Sequence, residues 1–124
     1  MEYISTERAP EPVGPYSQAV VHEGLVWVAG QVALDPASGR PRGETIEEQA
    51  ELALANVAAI LDAAGSSVAK LIRVTVYLAD ISEFPRFNAV YAQFLAGARP
   101  ARSTLQAGAL PLGLKVEVDA VAAR

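Results

Sequence analysis

The stretch from Thr45 to Leu78, TIEEQAELALANVAAILDAAGSSVAKLIRVTVYL, changes its hydrophobic period once and thereby decides the fold. It opens as Thr-x-x-Glu, the form of a capping box, in which two side chains satisfy backbone N–H groups at a helix start. Gly65 stands where a C-terminal capping glycine belongs. Between these signals, apolar residues recur at helical spacing: Ile46, Ala50, Ala53, Leu54, Val57, Ile60, Leu61 and Ala64. The pattern predicts one amphipathic helix.

The last eight residues of the stretch, 71–78, alternate with the period of a strand. The residues expected on one face are Ile72, Val74, Val76 and Leu78, and those on the other are Arg73, Thr75 and Tyr77. This alternation predicts a strand with one buried and one exposed face.

Turn signals and periodicity predict the remaining elements. Residues 14–34, GPYSQAVVHEGLVWVAGQVAL, read as two strands with a tight turn at residues 22–24. The proline- and glycine-containing residues 35–43 are expected to form an exposed loop. Residues 102–106 and 114–121 alternate and predict two further strands. A second helix is expected from Ser82, as its N-cap, to Gly97, with an apolar stripe of Phe84, Phe87, Val90, Tyr91, Phe94 and Leu95.

The predicted order is two strands, room for a short third strand, helix, strand, helix and two strands. No repeat or linker interrupts it, so residues 1–124 are expected to form a single domain. Two helices with one apolar stripe each can cover one face of a single sheet, which is the α+β class. Trp27 and Val28 fall on opposite faces of their strand, so the uncovered face has mixed polarity. We expect another copy of the chain to cover it, the alternative being a monomer with one solvated face.

The composition disfavours several classes of function. The chain contains no cysteine, which rules out disulfides, thiolate metal ligands and a cysteine nucleophile. His22 is the only histidine, so a Ser-His-Asp triad or a histidine-based metal site is poorly supported. The net charge of −4 and the scattered arginines argue against a nucleic-acid partner. No apolar run suits a membrane span and the N-terminus does not resemble a signal peptide, so we expect no membrane partner and a cytoplasmic location.

Arg102 is the residue best suited to bind a small anion. It lies between small residues, and twelve uncharged residues follow it. A guanidinium held on a strand can bind a carboxylate through two parallel hydrogen bonds. If the last two strands pair as a hairpin, Arg102 and Thr104 share a face with Glu117 and Asp119. Glu117 is then either part of the same site or the ion-pair partner of Arg102, and the spacing does not decide between them.

Two other polar residues each allow two interpretations. Asn88 lies beside the apolar stripe of the second helix, where its amide can be satisfied at an interface or can bind a ligand. Tyr16 precedes the first strand, either as a core residue or as a lid on a pocket. The residue pattern leaves both questions open.

Four segments, taken together, resemble the RidA family, the YjgF-type enamine/imine deaminases. They are GPYSQAV at 14–20, VAGQVALDPASG at 28–39, FNAVYAQF at 87–94 and PARSTLQAGALPLGLKVEV at 100–118. The resemblance implies a chorismate-mutase-like α+β fold with a single mixed sheet and two helices on one face. It implies a homotrimer whose sheets line a central barrel, with three sites at the subunit clefts. It also implies hydrolysis of 2-aminoacrylate and related 2-imino acids to 2-keto acids and ammonia, with no cofactor and no metal.

The resemblance also assigns residues to the site. Arg102 would hold the substrate carboxylate, the backbone of Thr104 would contact the imine nitrogen or the attacking water, and Glu117 would position that water. Tyr16, Gly30 and Asn88 would shape the pocket. The full set implied by the family is Tyr16, Gly30, Asn88, Arg102, Thr104 and Glu117.

This sequence departs from the family at two positions. Thr104 stands where many deaminases carry cysteine, and Ala29 stands where serine is frequent. Both Arg102 and Glu117 are retained, which favours hydrolysis. The alternatives are a non-catalytic trimeric binder or sensor of small 2-keto acids, a ribonuclease or translation inhibitor, and a chaperone-like surface.

Overall fold

Six strands form one sheet, and two helices complete the regular structure, in a computed structural model that describes every residue from Met1 to Arg124. The elements in chain order are β1 Glu2–Ile4, β2 Ala19–His22, β3 Leu25–Gln31, α1 Ile46–Ala63, β4 Leu71–Leu78, α2 Phe84–Leu95, β5 Ala101–Gln106 and β6 Val116–Ala123. The sheet order is β1-β2-β3-β6-β4-β5. Strands β4 and β5 run parallel, and the other neighbours are antiparallel. The expected α+β class with a single mixed sheet is confirmed.

The start and end of α1 follow the predicted signals. The Oγ1 of Thr45 accepts from the Glu48 N–H at 3.1 Å, and the Glu48 carboxylate accepts from the Thr45 N–H at 3.1 Å. This reciprocal pair is the capping box that the sequence predicted. After the helix, Gly65 adopts a φ of +79°, which is the left-handed conformation that glycine tolerates best at a helix end.

The predicted N-cap of α2 is wrong by one residue, because Glu83 and not Ser82 precedes the helix. Asp80 accepts the Ser82 N–H at 2.9 Å and the Ser82 hydroxyl at 2.7 Å, so it caps a single 3₁₀ turn over residues 81–83. The α-helix then begins at Phe84, without a side-chain cap. Ser82 is therefore a donor to Asp80 rather than the N-cap of α2.

The strands differ from the sequence prediction at three points. Strand β1 was not predicted, and the segment with room for a short third strand before α1 forms only an isolated bridge between Leu34 and Pro41. Ile72, expected in the core, is 46% exposed. The register between β4 and β6 shifts between Leu71 and Arg73, and this irregularity places Leu71 in the core instead.

The last two strands do not form a hairpin. The chain passes from β4 through α2 to β5, and a helix is the usual connection between parallel neighbours. Strand β6 pairs on the other side of β4 and with β3, so it lies in the centre of the sheet. Strand β5 is therefore an edge strand, separated from β6 by β4.

Both helices cover the same face of the sheet, as predicted. Leu54 and Val57 of α1 and Phe87 of α2 pack in one core of 24 buried residues, together with alternate residues of the strands. Arg86 of α2 donates to both carboxylate oxygens of Glu47 on α1, at 2.9 and 2.7 Å. These contacts hold α2 against α1 and fix the helix that lies over β5. Neither helix combines the length and the hydropathy needed to cross a membrane.

The opposite face of the sheet, which we call the open face, is exposed in the single chain. Trp27 is 51% exposed there, whereas the adjacent Val28 is 5% exposed in the core. Tyr77 and Asp119 form a polar pair on this face, the tyrosine hydroxyl donating at 3.0 Å. The mixed polarity expected for this face is therefore observed, and its coverage by another copy stays a prediction.

Candidate functional site

Arg102 lies on the helix-covered side of edge strand β5. It is in register with Val74, which is 1% exposed, so the two side chains share that face. Its Nη1 donates to Oδ1 of Asn88 at 2.7 Å. The centre of the guanidinium lies 5.0 Å from the ring centroid of Phe84 and 4.9 Å from that of Tyr91. Helix α2 thus supplies an amide and two aromatic rings that together form what we call the Arg102 pocket.

The guanidinium of Arg102 has no acidic partner in the chain. The ion pairs of the structure involve other basic residues: Arg8, His22, Arg42, Arg86, Lys115 and Arg124. An ion pair between Arg102 and Glu117, one of the two interpretations of the sequence, does not form. A half-buried cation is normally paired. Arg102 is therefore available to a negatively charged ligand.

Thr104 lies two residues along β5, on the same side as Arg102 and in register with Val76. Its hydroxyl oxygen is buried and has no hydrogen-bond partner, and the same is true of the Tyr91 hydroxyl. The Thr104 side chain therefore fills space without making a polar contact. Because β5 pairs only with β4, its outer edge presents backbone groups that the sheet does not use.

Gly30 and Glu117 are brought together on the open face. A Cβ atom placed on Gly30 would overlap the Glu117 side chain, lying 2.9 Å from Cδ and 3.2 Å from Cγ. A side chain at position 30 would displace the carboxyl group from its observed position. Burial, and secondly the negative charge of Asp119, raise the pKa of Glu117 above its ordinary value. A raised pKa makes the carboxylate a stronger base, which suits a group that accepts and returns a proton.

Tyr16 belongs to the segment that precedes β2, and its side chain is 54% exposed. Together with Val20 of β2 and Trp27 of β3, it lines a shallow depression on the open face. Gln18 anchors this segment: its Nε2 donates to three carbonyl groups and its Oε1 accepts the Thr6 N–H at 2.7 Å. Gln18 was not predicted as a structural anchor, because the sequence shows only a polar residue before a strand, and its burial at 1% exposure appears in the structure alone.

One chain does not bring all six predicted residues together. Arg102, Asn88 and Thr104 lie on the helix-covered side, whereas Gly30 and Glu117 lie on the open face. Strand β4 lies between β5 and β6, so the backbones of β5 and β6 are about 9–10 Å apart. Their functional side chains also point to opposite faces of the sheet. A face shared by Arg102 and Thr104 with Glu117 and Asp119 required a hairpin of the last two strands, and neither the hairpin nor the shared face is observed.

Two residues of the Arg102 pocket were assigned only to the core by the sequence analysis. Phe84 and Tyr91 belong to the predicted apolar stripe, and Asn88 was the residue that stood out. The signal was their spacing, because positions 84, 88 and 91 lie on one face of a helix. No group of three or more histidine, cysteine, aspartate or glutamate side chains that could hold a metal ion occurs in the structure.

The fold and this pocket define an α+β protein with a half-buried cation open to a small anion. A family model described as Endoribonuclease L-PSP matches residues 6–124. The chain therefore belongs to this family, the RidA or YjgF-type proteins. The resemblance of the four segments to this family is confirmed.

Named relatives agree with this assignment. The 2-iminobutanoate/2-iminopropanoate deaminase of Bos taurus is 44% identical over 119 residues, which cover 96% of this chain and 87% of the bovine protein. RidA from the Antarctic bacterium Psychrobacter superposes with a TM-score of 0.95 at 36% identity, covering 100% of both chains. TdcF of E. coli, solved with bound serine, superposes with a TM-score of 0.95 at 38% identity, covering 100% of this chain and 99% of TdcF.

Proposed function

We propose that the protein hydrolyses reactive 2-imino acids and their enamine tautomers, such as 2-iminopropanoate and 2-aminoacrylate, to 2-keto acids and ammonia. The observation that carries the proposal is the state of Arg102, a half-buried guanidinium held by Asn88 and without an acidic partner. A substrate carboxylate supplies the missing negative charge and matches the planar geometry of the guanidinium. The names of relatives at 42–44% identity support the same reaction.

The active site of this proposal lies between two copies of the chain. One copy contributes the Arg102 pocket and Thr104, and its neighbour contributes Tyr16, Gly30 and Glu117. The opposite positions of these groups in a single chain support this division, because a three-carbon substrate cannot reach both at once. The exposed Trp27 on the open face supports burial of that face in a homotrimer. Residues 1–124 act in it as a single domain.

The reaction requires little of the protein beyond binding and proton transfer. A protonated imine is already electrophilic, so holding water in line with the imine carbon removes much of the entropic barrier. Water adds to that carbon while Glu117 accepts one proton, which gives an amino alcohol. Glu117 returns the proton to nitrogen, and the C–N bond breaks as the hydroxyl oxygen forms the new carbonyl group and releases its proton. A carboxylate acting in this way contributes about 10²–10⁴-fold in rate.

Thr104 takes part through its backbone in this proposal. Its buried, unpaired hydroxyl supports that role, because the side chain directs no polar group to a neighbour. A threonine can then replace the cysteine of many relatives without loss of the reaction.

The test is a coupled assay in which a serine/threonine dehydratase supplies the imine and its disappearance is compared with spontaneous hydrolysis. Wild type, Arg102→Ala and Glu117→Gln are compared with two matched controls, Arg40→Ala and Glu51→Gln, which change exposed residues on the loop before α1 and on α1 itself. Acceleration that is lost in the first two variants and kept in the controls supports the proposal. Equal rates with and without protein contradict it.

A non-catalytic binder of 2-keto acids is the second candidate, because Arg102 serves binding and hydrolysis equally well. The two candidates are distinguished by Glu117→Gln, which a binder tolerates and a hydrolase does not.

The family model carries the description of an endoribonuclease. The net charge of −4 disfavours that activity, and an RNA-binding measurement as a function of salt concentration tests it.

A further inference from the structure

The Arg102 pocket solves a specific electrostatic problem. A site that binds a carboxylate needs a cation that is fixed in place and still free of a competing anion. A protein carboxylate beside Arg102 would fix it but would also occupy the donors that the substrate needs. Aromatic rings attract a cation through their electron-rich faces without neutralising its charge. The pocket contains two such rings and no acidic group, which meets both requirements.

The three contacts to Arg102 come from a single face of α2. Phe84, Asn88 and Tyr91 are spaced four and three residues apart, so they stack along one side of the helix. Asn88 takes a hydrogen bond from Nη1 at 2.7 Å, whereas Nε and Nη2 make no hydrogen bond to the protein. The edge formed by Nε and Nη2 is one of the two edges on which a carboxylate binds through parallel hydrogen bonds. The direction of this edge depends on how firmly α2 holds the guanidinium.

Tyr91 is the most firmly held of these three residues. It is 5% exposed, and its ring stacks on that of Phe87 with centroids 5.6 Å apart and an interplanar angle of 24°. Phe87 is itself fully buried. By contrast, Asn88 is exposed and Phe84 is only half buried at the first position of the helix. The rigid reference for the guanidinium is therefore the Tyr91 ring.

We propose that Tyr91 is a positioning residue for substrate binding, whose ring orients Arg102 so that the Nε–Nη2 edge faces the substrate carboxylate. Tyr91 does not touch the substrate, since its hydroxyl is buried and its contact is with the guanidinium. The inference rests on the proposed function for its kinetic consequences, but the orientation of Arg102 can be measured without substrate.

The experiment compares Tyr91→Leu with Phe94→Leu in the full chain. Both variants replace an aromatic ring of α2 by leucine, but Phe94 lines the groove between α1 and α2, away from Arg102. Pyruvate, the simplest 2-keto acid, is the binding probe. We expect Tyr91→Leu to raise the dissociation constant of pyruvate and the KM for imine by about 3- to 30-fold, the range of one cation–π contact. Phe94→Leu should leave both constants unchanged, and Tyr91→Phe, which keeps the ring, should recover most of the loss.

A second readout uses the NMR signal of the Arg102 Nε–H group. The ring currents of the aromatic contacts should shift this signal upfield, and restricted rotation should keep it sharp. The shift should diminish in Tyr91→Leu and persist in Phe94→Leu. Equal effects of the two leucine variants on pyruvate binding, or an unchanged Arg102 signal in Tyr91→Leu, would overturn the proposal.

The experiment also distinguishes failure of the proposed function from failure of a variant to fold. If wild type neither binds pyruvate nor hydrolyses imines, the proposed function has failed, and the Arg102 signal alone decides on the role of Tyr91. If Tyr91→Leu does not fold, Phe84→Leu replaces it, because Phe84 is only half buried and contacts the same guanidinium. A wild-type Arg102 signal and wild-type pyruvate affinity in Phe84→Leu would then overturn the aromatic positioning of Arg102.

Discussion

The Arg102 pocket and the region around Glu117 are two halves of one proposed site, and they are built in opposite ways. Arg102 is held by a hydrogen bond and two aromatic rings within a single chain. Glu117 makes no side-chain hydrogen bond, and burial and the neighbouring Asp119 raise its pKa. The first half is preorganised to hold charge. The second keeps a carboxyl group in an unfavourable environment, as expected for a group that exchanges protons.

The largest effect should come from Glu117→Gln, which removes the proton acceptor and leaves the shape. We expect kcat to fall by about 10²–10⁴-fold, whereas pyruvate binding through Arg102 should change little. The coupled imine assay and calorimetric titration with pyruvate measure the two quantities. Loss of pyruvate affinity equal to the loss of turnover would break the division between the two halves.

The same variant has a consequence for stability. Because the folded state raises the pKa of Glu117, ionisation of this group disfavours folding once the pH rises through the folded-state pKa. Glu117→Gln should therefore have an equal or higher Tm at neutral pH. The difference should vanish below about pH 4, where the glutamate is protonated in both states. A lower Tm at pH 7 would show that the carboxylate stabilises the fold.

A smaller loss of turnover is expected for Gly30→Ala. The added methyl group occupies the space of the Glu117 carboxyl group, which must move. We expect kcat to fall by about 10–10²-fold, the cost of misplacing a catalytic group by about 1 Å. Gly108→Ala is the matched control, because a Cβ at that position meets no atom within 4 Å. Equal activity of the two variants would contradict a fixed position for Glu117.

The acid limb of the pH profile should report the ionisation of Glu117. Hydrolysis requires its ionised form, so kcat should decline as the pH falls through a pKa above that of an ordinary glutamate. Asp119→Asn removes a neighbouring negative charge, which lowers the pKa of Glu117, so the acid limb should move to lower pH. Movement of the limb to higher pH would contradict this electrostatic coupling.

The smallest effect concerns the Arg102 half. Thr104→Val replaces a buried, unpaired hydroxyl by a methyl group of similar size. We expect the free energy of unfolding to rise by about 1 kcal/mol, measured by urea denaturation. Thr104→Ala, which loses volume as well, should lower it. A decrease for Thr104→Val would mean that the hydroxyl has a partner in the assembled protein.

The sequence predicted the helices and strands better than it predicted which strands pair with each other. The capping box of α1 and the alternation of β6 are local patterns, and both were predicted correctly. Whether the last two strands pair was left open by the sequence, because no local pattern records that β5 and β6 lie on opposite sides of β4. Ile72 was misplaced because an irregularity of one residue reverses the side chains on either side of it.

The same limit applies to the site. Arg102 was recognisable from its isolation among uncharged residues, and the resemblance to the family assigned Glu117. Their separation onto opposite faces was not predictable, because it follows from the sheet order. Phe84 and Tyr91, the aromatic partners of Arg102, were predicted as core residues because they belong to the apolar stripe of α2. An aromatic ring that contacts a cation has the same sequence pattern as one that packs in the core.

The most direct test of a site shared between copies is complementation between two inactive variants. Arg102→Ala and Glu117→Gln chains are co-expressed with different tags in equal amounts, and the mixed oligomers are assayed for imine hydrolysis. If Arg102 and Glu117 come from different chains, random assembly restores about one quarter of the sites, because each interface joins one chain to the next. Activity no greater than that of the separate variants would contradict the account.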